Sequence, residues 1–175
     1  MNDSNRPKAI MGVVPSRRVM AAAVMAGTEL QYCGVKSLRR YKEEGRKLLT
    51  ANRYLVGLVN LHKPEAIVLL KPSAQKATSF NLQLISHIKG MADSHHCPLF
   101  CLSIKEIKTI LTEDRCLKNQ RHLAEFLAGK FPELGRYLPI NSERVVRDKE
   151  KYYQPLFVAI GLVFSYLKLI SKDYG

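Results

Sequence analysis

The order of apolar runs predicts an α/β fold: a five-stranded mixed sheet, three antiparallel strands then two parallel ones, flanked by helices on both faces. Three observations carry that expectation. Residues 8–25, KAIMGVVPSRRVMAAAVM, are two near-continuous apolar runs broken by a turn signal at Pro15 and Ser16, as strands covered on both faces require. Short apolar runs at 66–70 (AIVLL) and 99–102 (LFCL) then alternate with longer stretches of helical period, the pattern of parallel strands joined by helical crossovers. Residues 156–171, apolar on most of a helix surface, complete the layers by packing on the sheet.

Each element follows from local chemistry. Residues 1–7 are polar and read as a disordered tail, leaving 8–175 as a single domain. The first two strands span 9–14 and 19–25, with Arg17 and Arg18 at the turn between them. Gly27 and Thr28 turn the chain into a third strand at 30–37. A long helix is expected at 38–62, begun by Lys42, Glu43, Glu44, Arg46 and Lys47. Leu48, Leu49, Leu55, Leu58, Val59 and His62 give it an apolar face, and Lys63-Pro64 ends it, because proline disfavours helix in the residue before it. The fourth strand, 66–70, stops at Lys71-Pro72-Ser73, and 71–78 reads as a loop. A helix at 79–94 offers Phe80, Leu82, Leu84, Ile85, Ile88 and Met91 to the core. Pro98 introduces the fifth strand, 99–102, read as interior. Ser103 with Glu106 three residues on forms a capping-box pattern for a helix to about Thr112. Further helices are expected at 117–130, ended by Phe131-Pro132, and at 156–171, started by Pro155. Residues 133–151 are polar and read as a loop. No repeat or low-complexity segment interrupts the order.

Charge narrows the partners. The 175 residues carry 28 Lys and Arg against 15 Asp and Glu, a formal net charge of +13 and a pI near 9.7. A positive field of that size attracts polyanions, of which nucleic acid is the usual one. The run at 156–166 is shorter than the about 20 residues a membrane crossing needs, and the polar N-terminus lacks the apolar core of a secretory signal, so no membrane partner is expected. Cys33, Cys97, Cys101 and Cys116 form no C-x-x-C pair; reduced, mostly buried thiols of a cytoplasmic protein are expected. His87, His95, His96, Cys97 and Cys101 lie near one another, but their spacing matches no zinc finger or ribbon, and a helix-to-strand turn accounts for them. No phosphate-loop, nucleophile-elbow or dinucleotide fingerprint occurs.

The motifs resemble those of the ribonuclease H-like superfamily, and within it the RuvC-type four-way (Holliday) junction resolvases. The family's first strand runs G-I-D-P-G-S-R-V-T-G-Y-G-V. The stretch from Gly12 to Val24, GVVPSRRVMAAAV, lies over it without a gap and has Val14 at the aspartate position. The family's fourth strand ends in a glutamate; here Leu70 or Lys71 stands in for it. The segments from Cys97 to Phe100, Ile104 to Ile110 and Leu117 to Gln120 are similar to later family elements. The final helix begins with two aspartates in the family, but here it falls on Tyr152 to Ile160, with Pro155 at one of those positions. The resemblance spans about residues 9–169.

In that family the acids hold two divalent cations, one generating the attacking hydroxide and the other stabilising the leaving oxygen. Hard cations take oxygen ligands. Val14, Leu70 and Pro155 carry none in their side chains, and Lys71 repels a cation. The expectation is therefore a catalytically inactive domain, with no metal or other cofactor, acting as a nucleic-acid-binding or scaffold protein. Two alternatives stay open. One is an active Mg²⁺-dependent, structure-specific endonuclease with relocated acids, drawn from Glu29, Glu43, Glu44, Glu65, Asp93, Glu106, Glu113, Asp114, Glu125, Glu133, Glu143, Asp148 and Glu150. The other is a pure assembly subunit. Arg17, Arg18, Lys71, Lys76, Lys118 and Arg121 are the expected contacts to DNA or RNA, branched forms included, and Tyr152 and Tyr153 are either base-stacking or packing residues. By analogy with the family, a homodimer through the first long helix is expected.

Overall fold

The computed structural model describes residues 8–73, 78–112, 117, 119–138 and 145–173. The elements are β1 (Ala9–Val14), β2 (Val19–Ala26), β3 (Glu29–Ser37), α1 (Glu44–His62), β4 (Ala66–Leu70), α2 (Ser79–Ser94), β5 (Leu99–Leu102), α3 (Ile104–Leu111), α4 (Gln120–Lys130), a 3-10 turn (Pro132–Tyr137) and α5 (Val145–Asp173). The sheet order is β3-β2-β1-β4-β5, with β1–β2 and β2–β3 antiparallel and β1–β4 and β4–β5 parallel. This is the expected five-stranded mixed sheet. The expected tail at 1–7 lies outside the described residues.

Strand alternation sorts the core into two layers. Met11, Val13, Met20, Ala22, Val24, Ile67 and Leu69 face α1 and α2. Ile10, Val14, Ala21, Ala23, Met25, Ala66 and Val68 face α3, α4 and α5. The second set is small where α5 crosses, and this lets the helix lie close on the sheet. At Gly12 a Cβ would overlap the Ala159 carbonyl oxygen and sit 2.8 Å from a Val163 methyl, so α5 fits only over a glycine.

Several expectations are corrected. Helix α1 starts at Glu44, six residues later than expected. Leu38 is fully buried and donates its backbone N–H to the Arg18 carbonyl at 2.9 Å, which keeps the chain attached to the sheet beyond β3. Within α1, Leu49 is 50% exposed, and Ala51 takes the core place expected of it, beside Leu55, Leu58 and Val59. Lys47, counted with the charged start, is buried. In α2, Leu82 is 55% exposed, while Phe80, Leu84, Ile88 and Met91 are buried as expected. Helix α1 does end at Lys63-Pro64, but Lys63 adopts the left-handed conformation (φ 45°, ψ 57°) and donates its N–H to Val59.

Helix α4 begins at Gln120, because Asn119 caps it by accepting from the His122 N–H at 2.9 Å. Residues 133–151 are not one loop: the 3-10 turn and the first turns of α5 occupy most of the described part. Pro155 lies inside α5 instead of starting it. Proline there removes one backbone hydrogen bond, and burial of Leu156–Val163 between the sheet and α3–α4 holds the helix together across it. Residues Lys151–Ser171 are thus long and apolar enough, by length and composition, to cross a membrane; half of that span is buried within this fold. Strand β5 is an edge strand, not an interior one, and Cys101 on it is exposed. Cys97 is buried, its thiol 3.2 Å from the Pro64 carbonyl, and Cys33 is half-buried; burial pushes both thiols up. Cys116 lies outside the described residues.

Candidate nucleic-acid interface

The parallel strands β1, β4 and β5 all end at the same edge of the sheet. Val13 pairs with Leu69 across β1 and β4, so the next residues, Val14 and Leu70, stand side by side on the face toward α5. Pro155 of α5 reaches the same place. Together they line a groove of about 1100 Å³ outside the carboxyl ends of the strands, the position where open α/β sheets place their ligands. The β1–β2 turn (Pro15, Ser16), the segment after β4 (Lys71, Pro72, Ser73), α2 (Asn81, Ile85), α3 (Ser103 to Glu106 and Thr109) and Gln120, Gln154 and Val158 are among the residues of its walls. The groove thus gathers Val14, Leu70, Lys71 and Pro155, the four positions singled out from the resemblance. The strand register also separates the two stand-ins left open for the fourth-strand acid. Leu70 packs with Val14 toward α5, while Lys71 is exposed and donates its backbone N–H to Leu102 at 2.9 Å.

The groove is basic and largely apolar. Lys71 and Lys105 supply its positive charge. Among the described residues its one carboxylate is Glu106, and that group is engaged. Its Oε2 accepts the Ser103 N–H at 2.7 Å while Ser103 Oγ accepts the Glu106 N–H at 3.2 Å, the expected capping box. These bonds to Ser103, with Lys71 nearby, hold the Glu106 carboxyl below its ordinary range. A pair of divalent cations needs several converging oxygens. Val14, Leu70 and Pro155 provide none, Lys71 is a cation, and Glu106 is bonded elsewhere, so the described residues of the groove do not fit such a pair.

The other acids are dispersed. Glu43 pairs with Arg46 (3.2 Å), Glu44 with Arg17 (3.0 Å), Glu65 with Lys8 (2.9 Å) and Glu125 with Arg121 (3.1 Å). Among the described residues no three of His, Cys, Asp and Glu come together as a metal site, the stretch from His87 to Cys101 included. Glu113, Asp114 and Glu143 lie outside the described residues, as do the side chains of Asp148 and Glu150.

The expected nucleic-acid contacts separate. Lys71 lines the groove. Arg17 turns to Glu44 at the start of α1, and Arg18 is exposed at the β1–β2 turn; neither lines the groove. Arg121, paired with Glu125, borders a smaller hollow of about 80 Å³ that shares Gln120 and Gln154 with the groove. Lys76 and Lys118 lie outside the described residues. Tyr153 packs between Tyr137 (ring centroids 4.9 Å) and Tyr152 (5.0 Å), which favours the packing reading of that pair. Lys105 was not singled out by sequence reasoning. Its place one residue past the start of the helix capped by Ser103, at the end of β5, was the available signal.

No protein-family model matches the sequence, and no curated protein does. Solved structures do match the fold. RuvC of Thermus thermophilus, in complex with a Holliday junction substrate, aligns with a TM-score of 0.70 at 13% identity, covering 94% of this chain and 96% of that one. The yeast mitochondrial Holliday junction resolvase aligns with a TM-score of 0.63 at 14% identity, over 93% and 78%. The fowlpox virus resolvase, in complex with Holliday junction DNA, aligns with a TM-score of 0.51 at 14% identity, over 91% and 98%. The chain has a RuvC-like, ribonuclease H-type fold across nearly its whole length.

Proposed function

We propose that this chain is a RuvC-like nucleic-acid-binding domain that does not hydrolyse its ligand. One observation carries the reading. The carboxyl ends of β1 and β4, with α5, form a groove whose floor is Val14, Leu70 and Pro155 and whose charges are Lys71 and Lys105 against the single carboxylate of Glu106, which is bonded to Ser103. A floor of hydrocarbon cannot hold the cations that would polarise a phosphodiester, whereas ammonium groups at its rim attract phosphate without any metal. The formal charge of +13 supplies the long-range attraction. Solved structures of the same fold, two of them complexed with Holliday junctions, favour nucleic acid over other polyanions. Among the described residues no three metal-ligating side chains gather, and four of the acids pair with bases instead, so the relocated-site alternative gains no support there. Association of two copies through α1 belongs to the same proposal, with Leu49 and Leu61 as its exposed apolar residues.

The test is affinity against salt for duplex, branched and single-stranded DNA and RNA. Binding should weaken steeply as salt rises, since each phosphate neutralised releases counterions. Lys71→Glu and Lys105→Glu should each reduce both the affinity and the salt slope. Binding that ignores salt, or that ignores both substitutions, overturns the assignment of the groove.

A further inference from the structure

A groove that only held phosphates would have little use for its floor. Leu70 and Pro155, half-buried above the buried Val14 and Val158, present hydrocarbon, and hydrocarbon gains nothing from an ionised oxygen; covering it with a phosphate would strip water from the charge with no compensating bond. A paired duplex presents its phosphates outward and keeps its base faces stacked inside. The face of an unpaired base is itself apolar and can cover such a floor, while its edge can bond to amides. Gln120 and Gln154 stand beside the floor with both a donor and an acceptor each. Lys71 and Lys105, exposed at the rim and not ion-paired among the described residues, are placed for the flanking phosphates. At about 1100 Å³ the groove has room for a base together with its flanking phosphates.

Resting on the nucleic-acid reading above, we propose that the groove seats the bases of unpaired nucleotides, with Leu70 and Pro155 against the base faces and Lys71 and Lys105 on the phosphates. Where ligand oxygens would let a groove of this fold grip the backbone through metal, hydrocarbon moves the recognition to the base. The domain then discriminates unpaired from paired nucleic acid.

The experiment compares three probes of equal length, in DNA and in RNA, at one fixed salt concentration: a mixed-sequence single strand, a blunt duplex, and a duplex with a central unpaired bulge. The single strand and the bulge should bind about tenfold or more tightly than the blunt duplex, the discrimination that one seated base provides. Thr109 is exposed on α3 at the groove wall, one turn from Lys105 and bonded to its carbonyl, so Thr109→Trp puts a bulky ring into the groove while replacing neither a core residue nor a lysine. It should abolish the preference and leave the salt-dependent duplex binding. Equal affinity for all three probes with a steep salt slope overturns the base seat and spares the nucleic-acid reading. A preference that survives Thr109→Trp also overturns the base seat. Absence of salt-dependent binding to every probe overturns both.

Discussion

Two glycines show how one hydrogen atom acts differently by location. Gly12 lies where α5 crosses β1, and any Cβ there meets the Ala159 carbonyl oxygen and Val163. Gly12→Ala should therefore destabilise the fold by about 1–3 kcal/mol, as overpacking does, and denaturant unfolding will measure it. Gly57 is exposed on α1 with nothing near its absent Cβ, so Gly57→Ala should stabilise by roughly 0.5–1 kcal/mol in the same assay. The Ser103–Glu106 capping box has a pH signature as well. The Glu106 carboxyl is held below its ordinary 4.5 by its bonds to Ser103. The folded state thus binds fewer protons than the unfolded one. The carboxylate's contribution is complete above pH 4.5 and is lost as pH falls through the folded pKa. Glu106→Gln should lower stability at neutral pH, and its difference from the parent should vanish in acid. Ser103→Ala should cost about 1 kcal/mol.

At the scale of elements, α5 governs the most. It packs on β1, β2, β3 and β4 and carries α3 and α4 on its other side. Its proline was legible as a residue but not as a position. A proline before an apolar run usually marks a helix start, and only burial against the sheet explains why this helix continues N-terminally to Val145. Because Pro155 removes a helix hydrogen bond, Pro155→Ala should raise stability, by up to about 3 kcal/mol. A thermal melt checks this, and a fall would mean that the proline ring packs better than the regained bond. The start of α1 teaches the converse. The charged residues before Glu44 have adequate helix propensity, but the Leu38–Arg18 backbone bond commits the chain to the sheet first, and no local pattern announces a bond between residues twenty positions apart.

For the molecule as a whole, charge and site point the same way. The formal net charge of +13 favours polyanions, and the groove presents Val14, Leu70 and Pro155 where a metal-using nuclease would need carboxylates, with Lys71 and Lys105 at its rim. Mg²⁺ or Mn²⁺ should leave a four-way junction uncut. Either ion should also shift the unfolding midpoint no more than Na⁺ at equal ionic strength, since a bound ion would stabilise the folded state by mass action. Cleavage that a single substitution among the remaining acids abolishes would overturn the non-hydrolytic reading.

The sequence by itself determined the five strands, three antiparallel then two parallel, and the absence of an acid at Val14, at Leu70 or Lys71, and at Pro155. Buried strands must be apolar along their whole length, and a missing carboxylate is visible in the chain wherever the chain goes. Tertiary structure alone decided that Val14, Leu70 and Pro155 meet in one groove, that Lys105 joins Lys71 there, and that Arg17 is diverted to Glu44, whereas the Arg121–Glu125 pair, four residues apart on α4, is local. Side-chain partnership depends on which elements the sheet brings together, and that pairing arises from packing between residues far apart in the chain, which no local spacing encodes.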